Sequence, residues 1–288
     1  MSAAQGPIGQ RRRLGVELRQ LREAAGLKID QVAAYLECSP SRVSRIETGK
    51  AIAQVRDARD MLDMYGVETD AQQRERLLVM AKEAQQEGWW TEYEDVLQPD
   101  FETYVGLEGD AASLRVYETH LIHGMLQSEE YARAFIHAAR WTETADEVER
   151  RVAFRMERQG LLSRSPVPLE LWAILDEAVL RRPVGGHAVM REQLNHLIKL
   201  AALPNVTIQV LPFAKGAHAG MDGLFEILSF PDQTDTDVVY VESAGGTVYM
   251  EKPKDTRRNT LVFERLRAEA MDPDQSVRFI DEIAREIT

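Results

Sequence analysis

The four residues Glu37-Cys-Ser-Pro40 are too few for anything but a tight turn, and they separate two segments with helical apolar spacing. Ile29, Val32, Ala33 and Leu36 mark one face of a short helix before the turn, and Val43 and Ile46 mark the inner face of another after it. The second helix is sharply bounded. Ser39 offers a hydroxyl to free backbone N–H groups, Pro40 suits the first helical position because its missing donor costs nothing there, and Gly49 closes the helix after Glu47. Upstream, Leu14, Leu18, Leu21 and Ala25, followed by Gly26, predict a helix over 14–25.

The helix after the turn displays Ser41, Arg42, Ser44 and Arg45, more hydrogen-bonding surface than solubility requires. Two short helices joined by a tight turn, the second with a polar and basic outer face, describe a helix-turn-helix whose second member fits the DNA major groove. Arg45 has the reach to donate two hydrogen bonds to guanine, Ser41 and Ser44 are less selective, and Arg42 can meet a base or a phosphate. Charge agrees. The whole chain carries −12, yet residues 1–50 hold nine Lys/Arg against five Asp/Glu, which is +4 and leaves −16 for the rest. A basic head on an acidic body suggests that one end meets a polyanion, although a solvated basic tail would account for Arg11 to Arg13 as well.

The stretch 14–65, above all Ser39-Pro-Ser-Arg-Val-Ser-Arg-Ile-Glu-Thr-Gly-Lys50, resembles the Xre (phage repressor and Cro-like) helix-turn-helix family. The resemblance implies a five-helix bundle, with a fourth helix over 55–65 and a fifth from about Asp70 to Gln86. It implies a structural pair between Arg22 and Glu47, and phosphate contacts from Thr48 and Lys50. The chain departs from the pattern where Lys28 and Ile29 replace the usual Ser/Thr cap and the Gln that touches the DNA backbone. Lys28 still reaches a phosphate, whereas Ile29 does not. Pro40 also stands where many relatives present a base-reading side chain. The expected DNA-contact set is Lys28, Ser39, Ser41, Arg42, Ser44, Arg45, Thr48 and Lys50.

We expect two domains, a helix-turn-helix head over 1–87 and an α+β body over 88–288. Trp89, Trp90, Tyr93, Phe101 and Tyr104 read as amphipathic helical segments. With no Gly/Ser-rich linker, the connection between the domains reads as helical. Helical periods recur over 128–138, 145–162, 188–202, 254–270 and 274–287; runs of β-branched and aromatic residues over 169–175, 206–211, 224–230, 238–242 and 248–251 predict strands. The body should be a mixed sheet covered by helices. It resembles the uncharacterised domain that follows the Xre-type module in WhiJ-like actinobacterial regulators, through Gly124-Met-Leu-Gln-Ser-Glu-Glu-Tyr-Ala-Arg133, Leu175-Asp-Glu-Ala-Val-Leu-Arg-Arg-Pro-Val-Gly185 and Gln209-Val-Leu-Pro-Phe213. That resemblance implies a developmental or antibiotic-related transcriptional regulator, often encoded beside a small acidic partner protein.

Several classes are set aside. No apolar stretch reaches the roughly 18 residues of a membrane span, and no signal-peptide core follows Arg13, so a cytoplasmic protein is expected. A single cysteine, Cys38, excludes an internal disulfide and a thiolate zinc cluster. His120, His123, His187, His196 and His218 show no metal-ligand spacing, no Gly-rich phosphate loop is present, and Asp176-Glu177 reads as a helix cap. We therefore expect no catalysis, no metal and no cofactor. The segment 212–223, between two expected strands, reads either as a ligand-closing loop or as a long hairpin connection. Gln127, Arg155, Gln159, Glu177 and His218, polar residues within apolar words, are candidates for a ligand or partner pocket. One head buries too little surface for useful specificity, so a homodimer on a double-stranded operator is expected. The alternative is an antitoxin-like, partner-sequestering protein that autoregulates through its head.

Overall fold

A computed structural model of the chain describes residues 6–67, 71–232, 236–243 and 245–287. The chain divides into two compact units, Met1–Thr91 with Val105–Asp110, and Glu92–Tyr104 with Ala111–Thr288. The expected boundary at 87/88 thus lies just inside the first unit, which also takes up a short later segment. The first unit is an N-terminal helical bundle; the second is an α+β region with a mixed six-stranded sheet.

The bundle consists of α1 (Pro7–Ala24), α2 (Ile29–Tyr35), α3 (Pro40–Glu47), α4 (Val55–Met64) and α5 (Ala71–Glu83). The expected start of the fifth helix, Asp70, lies outside the described residues. Helix α1 begins seven residues before the expected Leu14, so Arg11 to Arg13 belong to a helix and not to a tail. A partner for its otherwise orphan N-terminal N–H groups anchors the extension. The Asp110 carboxylate accepts from the Gly6 N–H and, at 2.6 Å, from the Gly9 N–H, placing a negative charge at the positive end of the helix.

Leu14, Leu18, Val32, Val43, Ile46, Met61, Leu62 and Leu77 form the bundle core. Each such side chain contributes about 1.5–3 kcal/mol on burial. Helix α3 ends as its sequence predicts. Gly49 has a φ of 68°, its N–H donates to Ile46 O at 3.0 Å, and the Lys50 N–H donates to Arg45 O at 2.8 Å, the paired bonds of a Schellman cap. Gly15 lets α1 approach α3, because a Cβ there would lie 2.5 Å from the Ile46 carbonyl oxygen.

The sheet runs β3-β2-β1-β4-β5-β6. Strands β1 (Ser113–Glu118), β2 (Glu170–Asp176) and β3 (Val206–Leu211) are parallel; β4 (Phe225–Ser229), β5 (Val238–Ser243) and β6 (Gly246–Met250) continue the sheet antiparallel. Five of these overlap the predicted strands; β1, at the middle of the sheet, was not predicted. Because β2 and β1 lie between β3 and β4, the segment 212–223 is a crossover and not a hairpin connection.

The remaining helices are α6 (Pro99–Asp110), α7 (Glu129–Ala139), α8 (Ala145–Arg158), α9 (Glu177–Arg181), α10 (His187–Leu200), α11 (Pro253–Glu269) and α12 (Pro273–Glu286). Tyr117, Ile174, Phe225, Ile227 and Val239 pack on Phe263 and Leu266 of α11. The alternate positions Leu114, Val116, Ala173, Leu175 and Leu228 are also buried. The central strands are thus apolar on both faces, as a sheet covered by helices on both sides requires. No helix among the described residues is long and apolar enough to cross a membrane.

Candidate nucleic-acid interface

Residues 41, 44, 45 and 48 stand at i, i+3, i+4 and i+7, so Ser41, Ser44, Arg45 and Thr48 share one face in and just after α3, and all four are exposed. Opposite them, Val43 and Ile46 are buried in the bundle. The Arg45 guanidinium makes no hydrogen bond or ion pair among the described residues, and Lys50 is exposed just past the cap. Lys28, also exposed, is the N-cap of α2, where the Gln31 side chain accepts from its backbone N–H at 2.8 Å.

Three expected contact residues are already engaged within the bundle. Ser39 Oγ accepts the Arg42 N–H at 3.2 Å, which makes it the cap of α3. The Thr48 hydroxyl donates back to Ser44 O at 2.8 Å. Arg42 is tied to Asp57 of α4, Nη2 to Oδ2 at 2.7 Å, with the arginine side chain 43% exposed. That bond, reinforced by the Asp57 charge, raises the Arg42 pKa. Arg42 is therefore held and half-shielded, unlike Arg45.

Behind this surface lies the Arg22–Glu47 pair. Arg22 Nε donates to Glu47 Oε1 at 2.6 Å and Nη2 to Oε2 at 2.9 Å, both side chains being buried. Nη1 donates to Leu27 O at 2.8 Å. The fork clamps the end of α3 to the last turn of α1, and the hydrogen bonds to Glu47 raise the Arg22 pKa despite burial.

In the second unit, the five candidate pocket residues do not share one set of contacts. Three belong together. Gln127 donates to Ile122 O at 2.6 Å and accepts from Arg155 Nη1 at 2.7 Å, while Gln159 donates to Gly124 O and Gln127 O. Burial, with the neighbouring Arg158 charge, lowers Arg155 to about 10. Glu177 instead accepts from Arg181 Nε at 2.6 Å and the Phe213 N–H at 2.8 Å. His218 accepts from the Gly220 N–H and stands edge-on to Tyr117, on the α11 side of the sheet. Asp176 caps α9 through the Ala178 N–H at 2.9 Å.

Sequence reasoning missed a second polar group. Glu118 ends β1 and Glu226 is the second residue of β4, on the same face of the sheet, since Val116 pairs with Glu226. His123, in the loop after β1, brings Nε2 within 3.3 Å of Glu226 Oε1, and the Tyr104 hydroxyl donates to Glu226 Oε2 at 2.5 Å. All three ionisable side chains are buried. Burial pushes Glu118 up to about 8. Burial also pushes Glu226 upward, but His123, the Tyr104 hydroxyl and Arg158 outweigh it and hold that carboxyl below its ordinary range. The signal in the sequence was the alternation Leu114, Val116, Glu118, a charge at the third inward position of an apolar strand.

The pattern that defines a domain of unknown function, DUF5753, matches residues 101–282. The chain belongs to that family. A helix-turn-helix domain matches residues 13–77, so the first unit is a module of the kind found in DNA-binding regulators. No curated protein and no solved structure matches the chain.

Proposed function

We propose that this protein is a sequence-specific, Xre-like transcriptional regulator that reads an operator with the outer face of α3. The observation that carries this reading is the exposed stripe Ser41, Ser44, Arg45, Thr48 on a helix held from behind by the Arg22–Glu47 fork. Arg45 reads guanine, and Lys28 and Lys50 hold phosphates. Arg42 contributes only on leaving Asp57. The protein acts as a homodimer in the cytoplasm, two heads on half-sites one helical turn apart giving affinities of roughly 10⁻⁸–10⁻¹¹ M. The body, WhiJ-like by its sequence words, receives a protein or small-molecule signal. It has no catalytic role.

Genome-wide mapping of occupied sites would yield the half-site and its spacing, and binding to that duplex would then be followed against salt. Affinity should fall steeply as salt rises. Arg45→Ala should cost about 1–3 kcal/mol of discrimination at one base position. Full selectivity in that variant would remove Arg45 from the readout.

A further inference from the structure

We infer that Glu118, His123 and Glu226 form a binding site for one divalent first-row transition-metal cation of the zinc type, inside the second unit. The inference does not depend on the DNA reading. Three features of the cluster support it.

The donor atoms converge from separate pieces of chain. One imidazole nitrogen and two carboxylate oxygens, from the end of β1, the loop after it and the start of β4, all lie within 4.8 Å of one another. His123 Nε2 and Glu226 Oε1 are 3.3 Å apart. Ligands bonded at about 2.0–2.1 Å to a tetrahedral ion lie about 3.3–3.4 Å from each other, so this edge of the polyhedron is already set.

Glu118 gives the second, independent sign. It is 5% exposed, yet its carboxyl makes no hydrogen bond among the described residues. A carboxylate buried without a donor is costly unless it is paired or coordinates a metal. Tyr104 and His123 serve Glu226, and nothing comparable serves Glu118. Both arginines nearby are otherwise occupied: Arg155 donates to Gln127 Oε1, and Arg158 stacks among Phe101, Tyr104 and Phe154.

The chemistry of the donors then selects the ion. Two carboxylates neutralise a dication, and an imidazole favours zinc, iron or nickel over magnesium, which takes oxygen and water. Binding requires a change of tautomer. His123 Nδ1 accepts the Met125 N–H at 3.3 Å, so the free imidazole carries its proton on Nε2. The cation takes Nε2, the proton moves to Nδ1, and the long Met125 contact is given up. Three protein ligands leave a fourth position for water or an exogenous donor.

The test uses the full chain stripped with a chelator and titrated with ZnCl2 by calorimetry, with MgCl2 as the comparison and thermal melting in parallel. One equivalent of Zn²⁺ should bind and raise the melting temperature, and Mg²⁺ should not reproduce the rise. Glu118→Gln should weaken Zn²⁺ by at least about tenfold and abolish the rise, while metal-free melting stays at or above that of the parent. X-ray absorption of the Co²⁺-loaded parent chain needs no variant, and should show a single imidazole with oxygen neighbours. Absence of saturable Zn²⁺ binding, unchanged affinity in Glu118→Gln, or two or more imidazoles around Co²⁺ would each overturn the assignment.

Discussion

The two units bury charge in opposite ways. In the bundle, Glu47 receives both arms of the Arg22 guanidinium, and the third nitrogen of that group ends on a backbone carbonyl. In the α+β unit, Glu118 is as well buried and receives no hydrogen bond among the described residues. A matched buried pair fixes the geometry of the elements that carry it and has little further chemistry to offer. An unmatched carboxyl raises the free energy of the folded state until something meets it. The bundle accordingly matches its buried carboxylate, although Tyr65 Oη and Arg74 Nη1 stay without a partner among the described residues, and turns free polar groups outward along α3, whereas the α+β unit holds its unmatched carboxyl inside.

The contrast makes its largest prediction at the matched pair. Glu47→Ala leaves Arg22 buried with only the Leu27 carbonyl and, at 3.5 Å, the half-exposed Glu23 carboxylate, and should destabilise the bundle by about 3–5 kcal/mol. Hydrogen exchange of the α1 and α3 amides would report it, because those helices are what the fork joins. Glu118→Gln, at a site of equal burial, should do the reverse and leave the metal-free unit as stable or more so. Equal losses at the two sites would erase the distinction between a matched and an unmatched buried carboxyl.

Titration sharpens the same contrast at smaller scale. Glu118 has a folded-state pKa of about 8 against an ordinary 4.5. Between those values the folded chain holds a proton that the unfolded chain has released. This contribution to stability is fully present below about pH 4.5 and is lost as pH rises through about 8, with a slope of at most about 1.4 kcal/mol per pH unit. Glu226, shifted downward, acts below pH 4.5 and with opposite sign, so it does not blur the window. In chelator, melting temperatures should decline across this range, and Glu118→Gln should flatten the decline. A slope of the same size in that variant would assign the proton elsewhere.

What the sequence discloses follows the same division. Caps, turns and apolar spacing are local signals, and the bundle is built from local signals: Ser39-Pro40, Gly49 and the inward Val43 and Ile46 are legible without any long-range contact. The run Arg11 to Arg13 misled because the group that anchors the start of α1 is Asp110, about a hundred residues away. The sheet is legible wherever a strand is uniformly apolar. Strand β1 is not, since Arg115 and Glu118 interrupt it, and Arg115 is provided for by Ser229 and Asp237 from distant segments. The buried cluster stayed hidden for the same reason. His123 looked isolated among scattered histidines, and its two carboxylate neighbours come from strands that meet only in the folded sheet.

The smallest predicted effect lies at the edge of the recognition face. Arg42 and Asp57 form a half-exposed ion pair, of the kind worth about 0–1 kcal/mol, so Asp57→Asn should barely alter the stability of the bundle. Its effect on DNA should be of a particular kind. The variant frees a guanidinium beside Arg45 and removes a negative charge from the same side, which favours a further phosphate contact. Affinity should rise for operator and non-operator duplexes alike, and the slope of binding against salt should steepen by about one ion. Parallel titrations of the two duplexes at several salt concentrations measure this directly. Should Asp57→Asn weaken operator binding without changing the slope, then the pair is kept in the complex, and Asp57 serves to aim Arg42 at a base.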